Sequence, residues 1–220
     1  MTNRLALFDC DGTLVDSQAN ICQSMEEAFR AGGLVAPGRE AIRRIIGLSL
    51  VDAVAALSPD LGEERHRALA EDYKASFFAL RESGAMNEEP LFEGMIGALD
   101  TLASTGWLFG VATGKSDRGL ARILAHHGIA ERFVTLQTAD RHPSKPHPSM
   151  IELAMAEAGA SPETTVMIGD TSYDMLMARA AGTRALGVAW GYHPPEELFA
   201  AGAHVVATTV ASLPEQMETV

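Results

Sequence analysis

The chain is short of positive charge. Its 220 residues include 17 Lys plus Arg against 29 Asp plus Glu, a net charge of −12. A surface of that sign repels phosphate backbones, which excludes nucleic acid as the main partner. Only two cysteines are present, with no framework spacing, so no disulfide scaffold is expected. Long apolar runs are also missing. The stretch between Leu102 and Lys115, among the longest without charge, is too short and too glycine-rich to cross a bilayer. Met1-Thr2-Asn3-Arg4 leads into only four apolar residues, so no signal peptide is expected and the expected location is the cytoplasm. Neither a repeat of 20–50 residues nor a low-complexity tract occurs. What the chain does have is 47% hydrophobic and 21% charged residues, enough to bury a core.

The apolar pattern changes period along the chain. Leu5–Phe8 is a short apolar run that stops at Asp9 and reads as a buried strand. Helical spacing follows, with Ser17 as the expected N-cap, Ile21, Met25, Ala28 and Phe29 on one face, and Gly32-Gly33 as the stop. Further helices are expected at Arg39–Ile46, at Leu50–Leu57 behind Ser49, and around Leu69, Tyr73, Phe77 and Leu80. No strand candidate falls between Val15 and Gly84. Beyond that point strands (Trp107–Ala112, Phe133–Leu136, Thr165–Ile168, Arg184–Val188, His204–Val206) alternate with helices. Such alternation predicts an α/β fold, a parallel sheet covered on both faces. The expected division is a core of residues 1–14 and 85–220 with residues 15–84 as an all-helical insertion. Ligands bind such sheets beyond the carboxyl ends of the strands.

Four strand ends carry chemistry. Phe8-Asp9-Cys10-Asp11-Gly12-Thr13 offers two acids two residues apart, expected to project together. Paired carboxylates repel unless a cation intervenes, and hard oxygen ligands suit Mg²⁺. Thr113-Gly114 precedes a helix that Ser116 is expected to cap, an arrangement suited to an anion. A nucleotide-binding Walker loop is excluded there, because Gly110 and Gly114 are separated by three residues and Phe109 stands where glycine is required. Lys145, restrained by Pro146, can serve as a fixed positive charge for a phosphoryl group. Asp170 ends the strand at Ile168-Gly169, and Asp174 follows one helical turn on. His142 and His147 flank Lys145 without the partner spacing of a zinc site.

These four segments, in this order, resemble the haloacid dehalogenase superfamily, in particular its phosphoglycolate-phosphatase-like branch. Asp9-Cys10-Asp11-Gly12-Thr13-Leu14-Val15-Asp16-Ser17, Thr113, Lys145-Pro146, and Gly169-Asp170 with Asp174 carry the likeness, which spans essentially the whole chain. The resemblance implies a Rossmann-like core with a helical cap and a Mg²⁺-dependent phosphatase working through an aspartyl-phosphate. It implies that Asp9 is the nucleophile and Asp11 the general acid and then base. Thr113 and the Gly114 N–H would hold phosphoryl oxygens, and Lys145 would offset their charge. The metal would be held by Asp9, the Asp11 carbonyl and Asp170, with Asp174 in or beside that shell. Gly114 departs from the asparagine common in the branch.

Dehalogenases of the superfamily lack the second aspartate of the first segment, so Asp11 favours phosphoryl chemistry. A phosphonoacetaldehyde hydrolase needs a cap lysine, where this chain offers Arg43 and Arg44, with Lys74 later in the cap. A β-phosphoglucomutase-like enzyme shares all four segments and stays open, as does a non-catalytic phosphate- or partner-binding member. Residues 15–84 carry a net charge of −3 against −9 for the rest. Arg43 and Arg44 are therefore read either as a site for a second anionic group of a small phosphate ester or as a solvated helix end.

Overall fold

The computed structural model describes residues 2–220. Its centre is a six-stranded, wholly parallel sheet. The strands are β1 (Asn3–Phe8), β2 (Trp107–Thr113), β3 (Phe133–Thr138), β4 (Ala160–Gly169), β5 (Arg184–Val188) and β6 (Val205–Ala207). Their spatial order is β3-β2-β1-β4-β5-β6, so the chain turns outward in both directions from β1. A parallel sheet opens its ligand crevice where the order reverses, and here that point lies at the carboxyl end of β1.

Alternation along each strand sends neighbours to opposite faces, and each face has its own apolar layer. Ala6, Phe8, Phe109, Val111, Val166, Ile168, Leu186 and Val188 pack on one side with α5 (Met95–Ser104), α6 (Asp117–His126) and the short terminal helix Leu213–Met217. Leu5, Leu7, Met167 and Ala185 pack on the other with α7 (Ser149–Ala158), α8 (Ser172–Ala180) and α9 (Pro195–Ala201). Met175 and Met177 fill the second layer. Burial on both faces explains why these strands read as near-continuous apolar runs.

Between β1 and α5 the chain forms α1 (Gln18–Ala31), α2 (Arg39–Arg43), α3 (Leu50–Leu57) and α4 (Glu63–Glu82). These helices share a third apolar cluster that includes Met25, Phe29, Ile42, Val54 and Leu69. The segments that enter and leave them run side by side. The Asp16 N–H donates to the Pro90 carbonyl at 2.9 Å, the Phe92 N–H to Leu14 at 3.1 Å, and Val15 and Leu91 form an antiparallel bridge.

Two expectations about this region change. The helix expected over Arg39–Ile46 ends at Arg43. Beyond it the backbone must turn towards the strand ends, and Gly47 takes φ +104°, a conformation glycine adopts freely. Ser17 and Ser49 occupy N-cap positions but do not cap. The Ser17 hydroxyl donates to Asp11 and the Ser49 hydroxyl to Asp52, so both are drawn off by carboxylates. Ser116 does cap α6, accepting from the Gly119 N–H. Among the described residues no helix is long and apolar enough to cross a membrane.

Candidate active site

Strand β1 stops at Phe8, which places Asp9 and Asp11 in the turn beyond it rather than on one strand face. Their carboxylates accordingly take different partners. Asp9 Oδ1 accepts from its neighbour, the Cys10 N–H, at 2.6 Å and faces Lys145 Nζ at 3.0 Å. Asp11 Oδ1 accepts from the Ser17 hydroxyl and from Lys115 Nζ, the latter at 2.8 Å. The two acids remain within electrostatic reach of one another.

Lys145 comes from the loop between β3 and α7, and its side chain is wholly buried. Its ammonium bridges Asp9 and Asp174, reaching Asp174 Oδ1 at 2.6 Å. Burial works against its charge, yet the Asp174 and Asp9 carboxylates hold its pKa above the ordinary lysine range. The loop is braced by His142, whose ring nitrogens lie 2.9 Å from Gln137 Oε1 on β3 and 3.0 Å from the Ser149 hydroxyl on α7. His142 thus has a structural partner at each end.

At the end of β4, Asp170 Oδ1 accepts from the Thr13 hydroxyl at 2.8 Å and Oδ2 from the Tyr192 N–H at 2.9 Å. Two glycines make room for it: a Cβ on Gly12 or Gly191 would overlap the Asp170 side chain. Asp174 is the third residue of α8 and closes a capping box, its Oδ2 accepting from the Thr171 N–H and hydroxyl at 3.1 and 2.7 Å. Asp9, Asp170 and Asp174 each offer an oxygen within 4.8 Å of the others, and all three are buried. Desolvation pushes the Asp9 carboxyl up to about 7, against the pull of Lys145, and raises Asp170 as well.

Three buried acids around one lysine leave an excess of negative charge that protein groups do not offset. Asp9 Oδ2, moreover, is buried without a hydrogen-bond partner. Hard carboxylate oxygens, surplus charge and an orphaned oxygen fit a small divalent cation such as Mg²⁺. The fit is to Asp9 and Asp170. Asp170 has only neutral donors, the Thr13 hydroxyl and the Tyr192 N–H, whereas Asp174 is already paired with the Lys145 ammonium and the Asp11 carboxylate is turned to Ser17 and Lys115.

Thr113 ends β2 and is buried, its Oγ1 accepting from the Lys115 N–H at 3.3 Å. Gly114 lies against the turn after α2: a Cβ there would come 2.5 Å from the Leu48 carbonyl oxygen and 2.8 Å from that of Gly47. The Ser49 N–H donates to the Ser144 hydroxyl at 2.8 Å, joining the same turn to the Lys145 loop. Gly114→Ala is therefore expected to destabilise the fold by about 1–3 kcal/mol through overpacking of backbone on backbone, read as a lower denaturation midpoint.

Arg43 and Arg44 are brought to a different place from the acids. The Arg44 guanidinium holds Glu197 of α9 through two bonds of 3.0 and 2.7 Å, while Arg43 Nη1 reaches Gln18 Oε1 at 3.4 Å. Both line a cavity of about 470 Å³ with Asp16, Phe92, Trp190 and Tyr192, and none of Asp9, Asp11, Thr113 or Lys145 lines it. Several site neighbours escaped the sequence reading: Thr13 and Tyr192 beside Asp170, Ser17 and Lys115 on Asp11, His142 behind Lys145. The Thr13–Asp170 and Lys115–Asp11 contacts join residues more than a hundred positions apart, and Tyr192 reaches Asp170 from 22 positions on.

The switch-point crevice of this all-parallel sheet, with a buried acid at its central strand and a buried lysine beside it, is where an α/β protein of this kind binds its ligand. The chain belongs to the haloacid dehalogenase-like hydrolase family, whose model matches residues 6–188. It is 37% identical over 214 residues to a probable phosphatase, IndB, of Dickeya dadantii, covering 95% of this chain and 91% of that one. It is 29% identical over 221 residues to the phosphoglycolate phosphatase of Vibrio parahaemolyticus, covering 96% and 95%. The crystal structure of a predicted phosphatase from Clostridium acetobutylicum superposes over the full length of both chains with a TM-score of 0.89 at 25% identity.

Proposed function

We propose that the protein is a Mg²⁺-dependent phosphatase that hydrolyses a small phosphomonoester, of the phosphoglycolate kind, through an aspartyl-phosphate on Asp9. The observation that carries this reading is the buried Asp9 carboxylate, with one oxygen on Lys145 and the other unpartnered. A carboxylate attacks a phosphate dianion only where cations offset the repulsion, and this one has a lysine at 3.0 Å and, in Asp170, a further acid suited to a metal. The names of the relatives support the same class of chemistry. Mg²⁺ held by Asp9, Asp170 and the Asp11 carbonyl, with Asp174 behind them, would offset charge on the phosphoryl oxygens.

The rest falls to the chain's own groups. Asp9 supplies the attacking oxygen. Asp11 gives a proton to the leaving oxygen and later takes one from the water that cleaves the aspartyl-phosphate. Thr113 and the Gly114 N–H hold phosphoryl oxygens at the start of the loop before α6. Asp174 fixes Lys145. Residues 15–84 act as a cap over a core of 1–14 and 85–220, excluding water and bulky substrates. The protein works in the cytoplasm on a small anionic ester, without nucleic acid or membrane as partner.

The test is phosphate release from a panel of small esters with and without EDTA. Release that needs Mg²⁺ supports the reading, and EDTA-insensitive release removes the metal from it. Isomerised hexose phosphate in place of free phosphate would give the mutase alternative. Asp170→Ala is expected to raise the Mg²⁺ concentration for half-maximal rate by about tenfold or more, besides lowering the rate. An unchanged Mg²⁺ dependence would take Asp170 out of the metal site.

A further inference from the structure

Lys115 has no part in the reading above, yet its ammonium meets Asp11 Oδ1 at 2.8 Å, and both side chains are largely buried. We propose that Lys115 is a positioning residue for the acid step: it holds Asp11 Oδ1, so that Oδ2 is the oxygen that carries the proton to the leaving group. This rests on the phosphatase reading and adds one residue to the machinery of that site.

Hydrogen-bond accounting selects the oxygen. A carboxyl oxygen offers two lone-pair sites, and those of Asp11 Oδ1 are taken by the Ser17 hydroxyl and the Lys115 ammonium. An oxygen that already accepts twice has no place for a proton, which must sit on Oδ2. Among the described residues no protein group bonds Oδ2, so it is left to the substrate. In the acid step the Oδ2–H bond breaks and its proton passes to the ester oxygen. The bond from that oxygen to phosphorus breaks as an Asp9 oxygen bonds to phosphorus. Lys115 keeps its own protons throughout and touches no reacting atom.

The two holders of Oδ1 are anchored differently. Ser17 stands at the entry to α1 and the inserted helices. Lys115 belongs to the sheet: its N–H donates to Thr113 Oγ1 at 3.3 Å, and its carbonyl accepts from the Ala139 N–H at 3.1 Å. Thr113 ends β2 and Ala139 directly follows β3, so the clamp on Asp11 is rooted in two strand ends. Among the described residues no other cation pairs with Asp11. Lys145 serves Asp9 and Asp174, and Arg81 lies near Arg118, Arg122 and Glu89 instead. Glu89 is also in range of Lys115, so the rival role for this ammonium is to balance the charge of two acids.

The leaving group separates the two roles. An alkoxide must be protonated as it departs, whereas p-nitrophenolate leaves without a proton. The experiment compares kcat/KM, with Mg²⁺ present, for 2-hydroxyethyl phosphate and p-nitrophenyl phosphate. This ratio reports formation of the aspartyl-phosphate, before Asp11 acts as a base. Lys115→Met, which keeps the length and removes the charge, should lose about 100-fold on the alkyl ester and no more than about 3-fold on the nitrophenyl ester. Lys115→Arg should restore most of the alkyl activity. In an Asp11→Asn background Lys115→Met should cost nothing further on the alkyl ester, because no acid is left to position. An equal loss on both esters, no loss on either, or a full further loss in Asp11→Asn overturns the inference. Should Lys115→Met not fold, Lys115→Gln carries the same comparison with the same overturning results. If wild type releases phosphate from neither ester, the phosphatase reading itself fails. If Asp11→Asn loses equally on both, the acid role of Asp11 fails, before Lys115 is touched.

Discussion

Asp9→Asn is expected to lower turnover by about four orders of magnitude or more while leaving the protein folded. An amide keeps the shape of the carboxylate and removes its nucleophilic oxygen. The same change deletes one of the two buried acids that share Lys145, with a third buried acid, Asp170, close by. Burial already pushes Asp9 up to about 7, so its ionised form is costly without a cation. The metal-free variant should therefore melt at or above the wild-type temperature, even though it is inactive. Circular dichroism melts in EDTA beside a phosphate-release assay check both halves. A folded Asp9→Asn protein with wild-type turnover would remove Asp9 as the nucleophile.

Lys145→Ala should fail on both counts. The lysine is the buried partner of Asp9 and Asp174 at 3.0 and 2.6 Å, and its loss strands two carboxylates in a dry site. Breaking a buried pair by removing one member costs about 3–5 kcal/mol. Turnover is expected to drop by about 10³-fold, since the charge that offsets the incoming phosphoryl group goes with it. The stability loss should shrink at low pH, where Asp9 takes up a proton. Its folded pKa stands above the unfolded value, so the cost of leaving it unpaired is felt only as pH rises towards about 7. Urea midpoints at two pH values test this, and a midpoint equal to wild type at neutral pH would refute the buried-pair argument.

Much of this site was legible in the sequence because it is local. An apolar run that ends on an acid marks both a buried strand and the place where it stops, as at Asp9 and Asp170, while Thr113 stood out as a hydroxyl and glycine ahead of a helix and Lys145 by the proline that follows it. Asp174 was placed by helical spacing. The strands Arg184–Val188 and Trp107–Thr113 sit within a residue of their expected bounds. What the sequence did not reveal is pairing across the fold. Nothing in the neighbourhood of Lys115 announces Asp11, 104 residues earlier. The Ser17 hydroxyl reads as a cap by position, and only the return of Asp11 beside it shows the competing acceptor. Arg43 and Arg44 lie near a turn that does reach the strand ends, as Gly47 against Gly114 shows, but their side chains leave in another direction. Backbone proximity was readable there; side-chain direction depended on Glu197, more than 150 positions away.

The antiparallel bridge between Val15 and Leu91 sits only four residues beyond Asp11, and α1 begins directly after Ser17, whose hydroxyl holds that acid. A swing of the inserted helices away from the sheet would turn about these two connecting segments and carry Ser17 with it. Were a ligand admitted by such a swing, Asp11 would lose its Ser17 bond and keep its Lys115 pair, so the setting of this acid would be geared to the position of the inserted helices. In the role proposed for Asp11, a proton donor set in place only behind a closed door would protect the ester from half-assembled chemistry.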